Sequence, residues 1–502
     1  MSPSNPRAPD SIGRNVGFSF ATGITSAIFT AVLTLFLVRA LTPEEYGIFA
    51  LAIGISSLVI LPANLGIANA AARFMAESRH DRPAVIGVVS DAFRLRLLSS
   101  TAFCLALAAA AGPIANAYDI PDLVWPIRIL SLALFGQGML QLYSYLLEAE
   151  GRLSVYLRIV GIESATETIA SIVLVLGGLG VSGAMAGRAG AYVFAAAFGL
   201  VLIVRALGAR PRITRRGHGF TRRIVGYGSA LLVVDGAFAL FSTIDVLLIG
   251  AILSVSAVGQ FEAAMRLAAM TTYAGAAVAA GVAPRVARGK EGPDSVAFDL
   301  SLRRLMVLQG VFIAPFLVWA EPLTRIALGA EYSDSADVVR AITPFVFLVA
   351  ISPVLARGVT YMGEARLRIP IAIAALLINL VIDLVLLPRI GILAGAIGTD
   401  VSYTLYAGAH LWICKRLIGT ELRPLARTFG TVLIAIAAMS LVLFAFGTGD
   451  VALPLLLAGG VLGLAAYAGA LLATGEVSMA DLAAARRRFA ALLPRGSGTP
   501  TA

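Results

Sequence analysis

Several charged residues of this 502-residue chain lie inside or at the mouths of long apolar runs, where a charge is costly and therefore informative. Arg188 interrupts AMAGRAGAYVF (184–194) and Arg266 interrupts FEAAMRLAAM (261–270), while Arg73 and Arg357 stand near the ends of similar runs and Arg14 precedes the first. A guanidinium keeps its proton on burial, and its fork of N–H groups matches phosphate or carboxylate oxygens bidentately. Residues of this kind can hold an oxyanion in an apolar medium. The acids form a complementary set: Glu163 and Glu167 are four apart, Asn379 and Asp383 are four apart, and Asp235 and Asp245 lie between the two pairs in sequence. Four residues is about one helical turn, so each pair shares a helix face. Carboxyls in such positions can exchange a proton, hold Na+, or serve as structural partners of the arginines. Glu262 and Arg266 have the same spacing and can neutralise each other, whereas Arg188 has no acid within a turn of its own helix.

The elements that position these residues must be membrane-spanning helices. Hydrophobic residues make up 59% of the chain and charged residues 14%, against about a quarter charged in soluble domains. A span needs about 20 mostly apolar residues, and about fourteen are predicted, near 15–38, 47–71, 97–118, 127–147, 159–177, 183–204, 224–250, 259–283, 305–328, 338–361, 370–388, 392–414, 429–447 and 453–473. GGLGVSG (177–183) and LPRIGILAG (387–395) read as short turns within tight hairpins. The fold class is an all-α polytopic membrane protein.

Basic residues concentrate in alternate loops, including Arg73 to Arg96 and RALGARPRITRRGHGFTRR (205–223), and the opposite loops are short and acidic. By the positive-inside rule both termini are cytoplasmic. Arg73, Arg285 and Arg357 can act as anchors of this topology. The net charge of +10 fits topology signals and contact with membrane lipids better than nucleic-acid binding. The polar start MSPSNPRAPDSIGRN reads as the lead into an uncleaved first span. Cys104 and Cys414 fall inside spans, His80, His218 and His410 are far apart, and HExxH and Walker A elements are absent, so neither a metal site nor direct ATP coupling is expected.

The chain repeats itself. LTPEEYGIFA (41–50) overlies LSVSAVGQFE (253–262) at an offset of 212, pairing Gly47 with Gly259, and an offset of 211 pairs Gly180 with Gly391, Gly187 with Gly398 and Tyr192 with Tyr403. That offset spans six helices, and an even number of crossings returns the chain to its starting side, so the repeat is parallel. The expected organisation is a six-helix lobe (1–205), a basic linker (206–223), a second six-helix lobe (224–416), two additional helices (417–475) and a cytoplasmic tail (476–502). Two such lobes are a transporter plan, with alternating access arising when one rocks against the other. The same alignment puts Arg188 beside Asp400 and raises an ion pair between lobes.

LTPEEYGIFALAIGISSLVILPANLGIANAAARFMAE (41–77) resembles the first helical hairpin of the polysaccharide biosynthesis, Wzx-type oligosaccharide (O-antigen) flippases, through its L-x-P-x-x-Y-G turn and N-L-G-I element. STIDVLLIGAILSVSAVGQFEAAMRLAAM (242–270) is similar to the second-lobe counterpart, with an Asp ahead of an apolar run, V-G-x-F and A-x-R-L. The resemblance covers the whole chain and implies the multidrug/oligosaccharidyl-lipid/polysaccharide exporter superfold. It further implies a flippase that carries a polyprenyl-diphosphate-linked oligosaccharide from the cytoplasmic to the outer leaflet of a bacterial inner membrane, in lipopolysaccharide or other polysaccharide assembly, with no enzymatic activity. Under it, Arg188, Arg266, Arg73, Arg357 and Arg14 are the candidates for the diphosphate and sugar path. Glu163, Glu167, Asp245 and Asp383 are candidates for H+ or Na+ coupling or for structural pairing. No cofactor is implied, and polysaccharide polymerase machinery is the candidate protein partner. Asn64, Asn69, Gln137 and Gln141 read as sugar-contacting or helix-bridging groups. The main alternative is a cation-coupled multidrug exporter of the same superfold. A membrane-embedded polymerase or ligase would instead carry a long extracytoplasmic loop, and the loops expected on that side are about ten residues or fewer.

Overall fold

The LTPEEYG turn begins a helix because its side chains satisfy the first free backbone donors. Thr42 Oγ1 accepts from Glu45 N at 3.2 Å, the Glu45 carboxylate accepts from Thr42 N at 3.0 Å, and Pro43 takes the first helical position. In the repeated turn Ser254 Oγ accepts from Ala257 N at 3.1 Å. Both copies of the sequence repeat are thus helix N-termini. In the computed structural model, residues 12–78, 80–208, 211, 217, 219–271 and 294–479 are described.

The helices of the first half are α1 (Ile12–Ala40), α2 (Pro43–Asn64), α3 (Ile67–Glu77), α4 (Arg82–Ala117), α5 (Val124–Ala149), α6 (Leu153–Leu174) and α7 (Gly180–Leu207). Then come α8 (Thr221–Phe241), α9 (Ile244–Ile252), α10 (Val255–Ala269), α11 (Ser295–Val318), α12 (Ala320–Ala327), α13 (Ser335–Ala341), α14 (Thr343–Tyr361), α15 (Arg368–Ile390), α16 (Leu393–Ile418), α17 (Leu422–Ala445) and α18 (Leu453–Ala473). Among the described residues ten stretches are long and apolar enough to cross a membrane, and the chain is a multi-pass membrane protein.

The fourteen expected spans do not map one to one onto these ten. Spans 159–177 and 183–204 share one stretch, Leu153–Leu207, that folds back on itself at its glycines. Span 224–250 divides into α8 and α9 at Ser242 and Thr243, span 305–328 stops at Val318, and span 259–283 lies partly outside the described residues, as does Arg285. The two hairpin turns do occur. Gly180 (φ 46°, ψ −133°) and Gly391 (φ 64°, ψ −147°) adopt nearly the same backbone conformation, one that residues with a Cβ avoid.

Packing recurs along the chain. In the first half α1 packs on α6, α4 on α5, α5 on α7 and α6 on α7. In the second half the helices at matching places do the same: α8 on α15, α11 on α14, α14 on α16 and α15 on α16. The two halves meet where α2 crosses α10 and where α3 lies on α8. A Cβ at Gly47 would overlap the Val255 carbonyl oxygen, and one at Gly259 would overlap that of Pro43. At the other end Gly66 and Gly228 touch backbone to backbone. The last two helices, α17 and α18, pack outside α11, where Tyr467 Oη donates to the Val307 carbonyl at 2.7 Å and Trp319 Nε1 to that of Gly447 at 3.0 Å.

Candidate functional site

A cavity of about 180 Å³ opens between the first-half helices and α10, lined by Tyr46, Glu163, Glu167, Arg188, Tyr192 and Arg266 among others. Its charged wall depends on a glycine. A Cβ at Gly187 would stand 2.5 Å from the Ser171 backbone nitrogen, so α7 reaches α6 only because residue 187 has none. That contact brings Arg188 across to Glu167, with Nη1 to Oε1 at 2.6 Å, and Arg188 also lies 5.2 Å from the Tyr192 ring centroid. Glu163, one turn from Glu167, accepts from Ser164 Oγ at 3.0 Å. Arg266 pairs with Glu262 at 2.6 Å, as their four-residue spacing predicts, and still faces the cavity.

The ion pair raised between Arg188 and Asp400 does not form. Arg188 is held by Glu167, and the Asp400 carboxylate accepts from the Phe345 backbone nitrogen at 2.8 Å, capping the start of α14. The acid that serves Arg188 comes from the neighbouring helix of its own hairpin, which spacing along a single helix does not reveal.

Two more cavities continue along α2. A narrow one of about 30 Å³ shares Ile53 and Arg188 with the first and also touches Ser57 and Gln137. It leads to one of about 440 Å³ lined by Ser57, Asn64, Asn69, Gln141, Tyr145 and Thr243. From Ile53 to Asn64 the helix rises by roughly 16 Å at about 1.5 Å per residue, so the three cavities follow one another along the α2 axis, neighbours sharing Ile53, Arg188 or Ser57. Behind the widest one lies Arg96, wholly buried. The sequence places it in a basic loop, but α4 begins about four turns before the expected start of its span. Asp81 caps α4 by accepting from Ala84 N, and Pro83 sits in its first turn. This Asp-x-Pro signature is the signal in the sequence that marks the earlier start.

The other expected arginines stand elsewhere. Arg73 is exposed on α3, paired with Glu77 at 2.9 Å and stacked on Tyr227 at 4.5 Å. Arg14 is exposed at the start of α1, 5.6 Å from the Phe18 ring, and Arg357 is exposed on α14. None of the three lines these cavities.

A second polar cluster is buried in the other half. Asp245 on α9 accepts from Asn379 Nδ2 and, at 2.7 Å, from Thr399 Oγ1. Asp383, fully buried one turn beyond Asn379, finds no hydrogen-bond donor for either carboxylate oxygen among the described residues, nor does Asn379 for its amide oxygen. Gly398 makes room for them, since a Cβ there would lie 2.6 Å from Asn379 Oδ1 and 2.7 Å from Asp383 Oδ1. Oxygen donors alone, two of them carboxylates, suit a proton or a small hard cation. Asp235 lies on α8, and its side chain is outside the described residues.

The chain and its fold have counterparts among known proteins. The chain is 22% identical over 417 residues to the probable low-salt glycan biosynthesis flippase Agl15 of Haloferax volcanii, a match covering 82% of this chain and 85% of that one. Its fold is that of the lipid II flippase MurJ in an inward closed conformation, with a TM-score of 0.75 at 13% identity over 91% of this chain and 98% of that chain. It is also that of an inward-facing multidrug resistance MATE family transporter of the MOP superfamily, with a TM-score of 0.61 at 14% identity over 78% and 95%. The family model described as polysaccharide biosynthesis protein matches residues 36–337, more than half of the sequence, and the chain belongs to that family.

Proposed function

We propose that the protein is a flippase that moves a polyprenyl-diphosphate-linked oligosaccharide, a precursor of O-antigen or another polysaccharide, from the cytoplasmic to the outer leaflet by alternating access. The observation that carries this reading is that Arg188 on α7 and Arg266 on α10, drawn from opposite halves of the chain, line one cavity. A polyprenyl tail can remain in lipid, but its diphosphate needs cations along the way. Each arginine already has a carboxylate partner, at 2.6 Å in both cases. An arriving phosphate therefore exchanges with a carboxylate, and neither guanidinium is left unpaired in a low-dielectric site.

The proposed moving parts are the lobes 1–205 and 224–416, joined by the basic linker 206–223, with 417–475 as accessory helices and 476–502 as the tail. The recurring helix pairings and the matching turns at Gly180 and Gly391 support this division. The glycine contacts Gly47/Gly259 and Gly66/Gly228 lie at the two ends of the path, where opening one and closing the other would alternate access. We assign the coupling cation, H+ or Na+, to Asp245, Asn379, Asp383 and Thr399. Both termini are assigned to the cytoplasm of a bacterial inner membrane, where a polysaccharide polymerase would receive the product. The wall carries Glu163 and Glu167 as well as the two arginines, and the anionic cargo is favoured over the cationic one of a multidrug exporter because both guanidiniums can exchange a carboxylate for a phosphate.

The test is flipping of a fluorescent polyprenyl-diphosphate oligosaccharide in proteoliposomes. Arg188→Ala is expected to lose at least tenfold and Arg188→Lys to keep part of the rate, with both variants matching wild type in thermal unfolding. Equal rates for Arg188→Ala and wild type would remove Arg188 from the path.

A further inference from the structure

Arg96 is a buried cation whose hydrogen-bond partners are all neutral. Its Nε donates to the Gly138 carbonyl at 2.7 Å, Nη1 to the Ala63 carbonyl at 3.1 Å, and Nη2 to Asn64 Oδ1 and, at 3.2 Å, to Gln141 Oε1. No carboxylate pairs with it among the described residues. The pocket for the guanidinium is built: a Cβ at Gly138 would stand 2.7 Å from Nη2 and 2.9 Å from Nε. Tying α2, α4 and α5 together needs only neutral donors, so an uncompensated charge in this place calls for a further reason.

The hydrogen-bond chemistry supplies one. A guanidinium only donates, so Asn64 and Gln141 must turn their amide oxygens toward Arg96. Their NH₂ groups are then left as donors, and both residues line the 440 Å³ cavity. Asn69 adds a third amide to the wall. The result is a cavity rich in donors with an unpaired positive charge directly behind it, bounded on its far side by Ser242 and Thr243 from the second half of the chain.

We propose that this cavity is a second binding station on the path, for an oxyanion of the cargo, either the lipid diphosphate or a sugar carboxylate. Arg96 acts in it as a positioning residue that fixes the two amides and sets the sign of the potential. The assignment rests on the flippase reading, since the station lies on the same path as Arg188, separated from that cavity by the narrow segment at Ser57 and Gln137.

The test uses Asn69→Cys in the full chain in nanodiscs, where the native Cys104 and Cys414 are both buried. Two thiol reagents of equal size and opposite charge report the local potential, and two probes report occupancy: farnesyl diphosphate, and octyl glucuronide, which has a carboxylate and no phosphate. The anionic reagent is expected to react at least tenfold faster than the cationic one, relative to a free thiol, and at least one probe to slow labelling severalfold. Protection by farnesyl diphosphate alone assigns the station to the headgroup, by the glucuronide alone to an acidic sugar, and by both to oxyanions in general. Adding Gln141→Glu gives Arg96 a carboxylate partner, so it should leave the unfolding temperature unchanged or raised while abolishing both the reagent preference and the protection. A purely structural Arg96 predicts no reagent preference and no protection in the parent, or both unchanged by Gln141→Glu, and either result overturns the station. Flipping by Arg188 variants is scored separately, so the station can fail while the flippase reading stands, and flipping can fail while protection persists.

Discussion

Gly47 and Gly259 each press on the backbone of the helix that carries the other. The hydrogen that stands in for a side chain at Gly47 faces the Val255 carbonyl, and the one at Gly259 faces the Pro43 carbonyl. These are the same contact written twice at the 212-residue offset of the sequence repeat, which is the reciprocity expected of a pseudo-twofold interface. Gly47→Ala or Gly259→Ala should force α2 and α10 apart, with an overpacking cost of about 1–3 kcal/mol. Flipping is expected to fall at least tenfold in either variant, and Gly17→Ala, where a Cβ meets nothing within 4 Å, is expected to match wild type.

Asp383 carries two buried carboxylate oxygens without donors among the described residues, and a bound cation would satisfy them. If the cluster with Asp245 takes Na+, raising Na+ at constant ionic strength raises the unfolding temperature. By mass action the gain is about 2.7 kcal/mol at a hundredfold excess over the dissociation constant. If it takes a proton, acidification substitutes for Na+. In both cases Asp383→Asn should abolish the response, and a response that survives in that variant would place the coupling ion elsewhere.

At the opposite end of the path from Gly47, Arg223 reaches Glu77 at 3.4 Å and stacks on Phe74 at 4.5 Å, tying α8 to α3. Both side chains are largely exposed, and such a pair is worth about 0–1 kcal/mol. Arg223→Ala should therefore shift the open population at this end by no more than about fivefold. The alkylation rate of Leu61→Cys on the cavity wall, compared with and without Arg223→Ala, measures that shift.

The two accessory helices are anchored at Arg303. Its guanidinium donates to Thr428 Oγ1 at 2.8 Å and to the buried Glu476 carboxylate at 2.9 Å. Arg303→Ala leaves that carboxylate with the Thr428 Oγ1 donor at 2.7 Å but without its cation, at a cost of about 1–3 kcal/mol. The unfolding temperature is expected to drop by a few degrees while flipping remains within about twofold of wild type. A complete loss of flipping in the folded variant would make α17 and α18 part of the moving machinery.

Much of the framework was legible in the residues because it is local or repeated. The 212-residue offset announces the pairing of Gly47 with Gly259, Gly180 and Gly391 announce the turns, and the spacing of Glu262 and Arg266 announces their pair. What escaped depends on how helices cross. Arg188 finds Glu167 only because Gly187 lets α7 settle onto α6, and no offset along one helix encodes that. Arg96 reads as one more loop arginine because the apolar run begins at residue 97, whereas its helix is capped at Asp81. Charge density along the sequence reads Arg96 as a loop residue, whereas the structure buries it within α4.

The most direct test of the account is to offer one preparation of proteoliposomes both kinds of cargo. The cavity that joins Arg188 and Arg266 predicts that wild-type protein flips a fluorescent polyprenyl-diphosphate oligosaccharide and does not extrude a cationic dye down an imposed H+ or Na+ gradient. Dye extrusion without movement of the lipid would contradict it and make the protein a multidrug exporter.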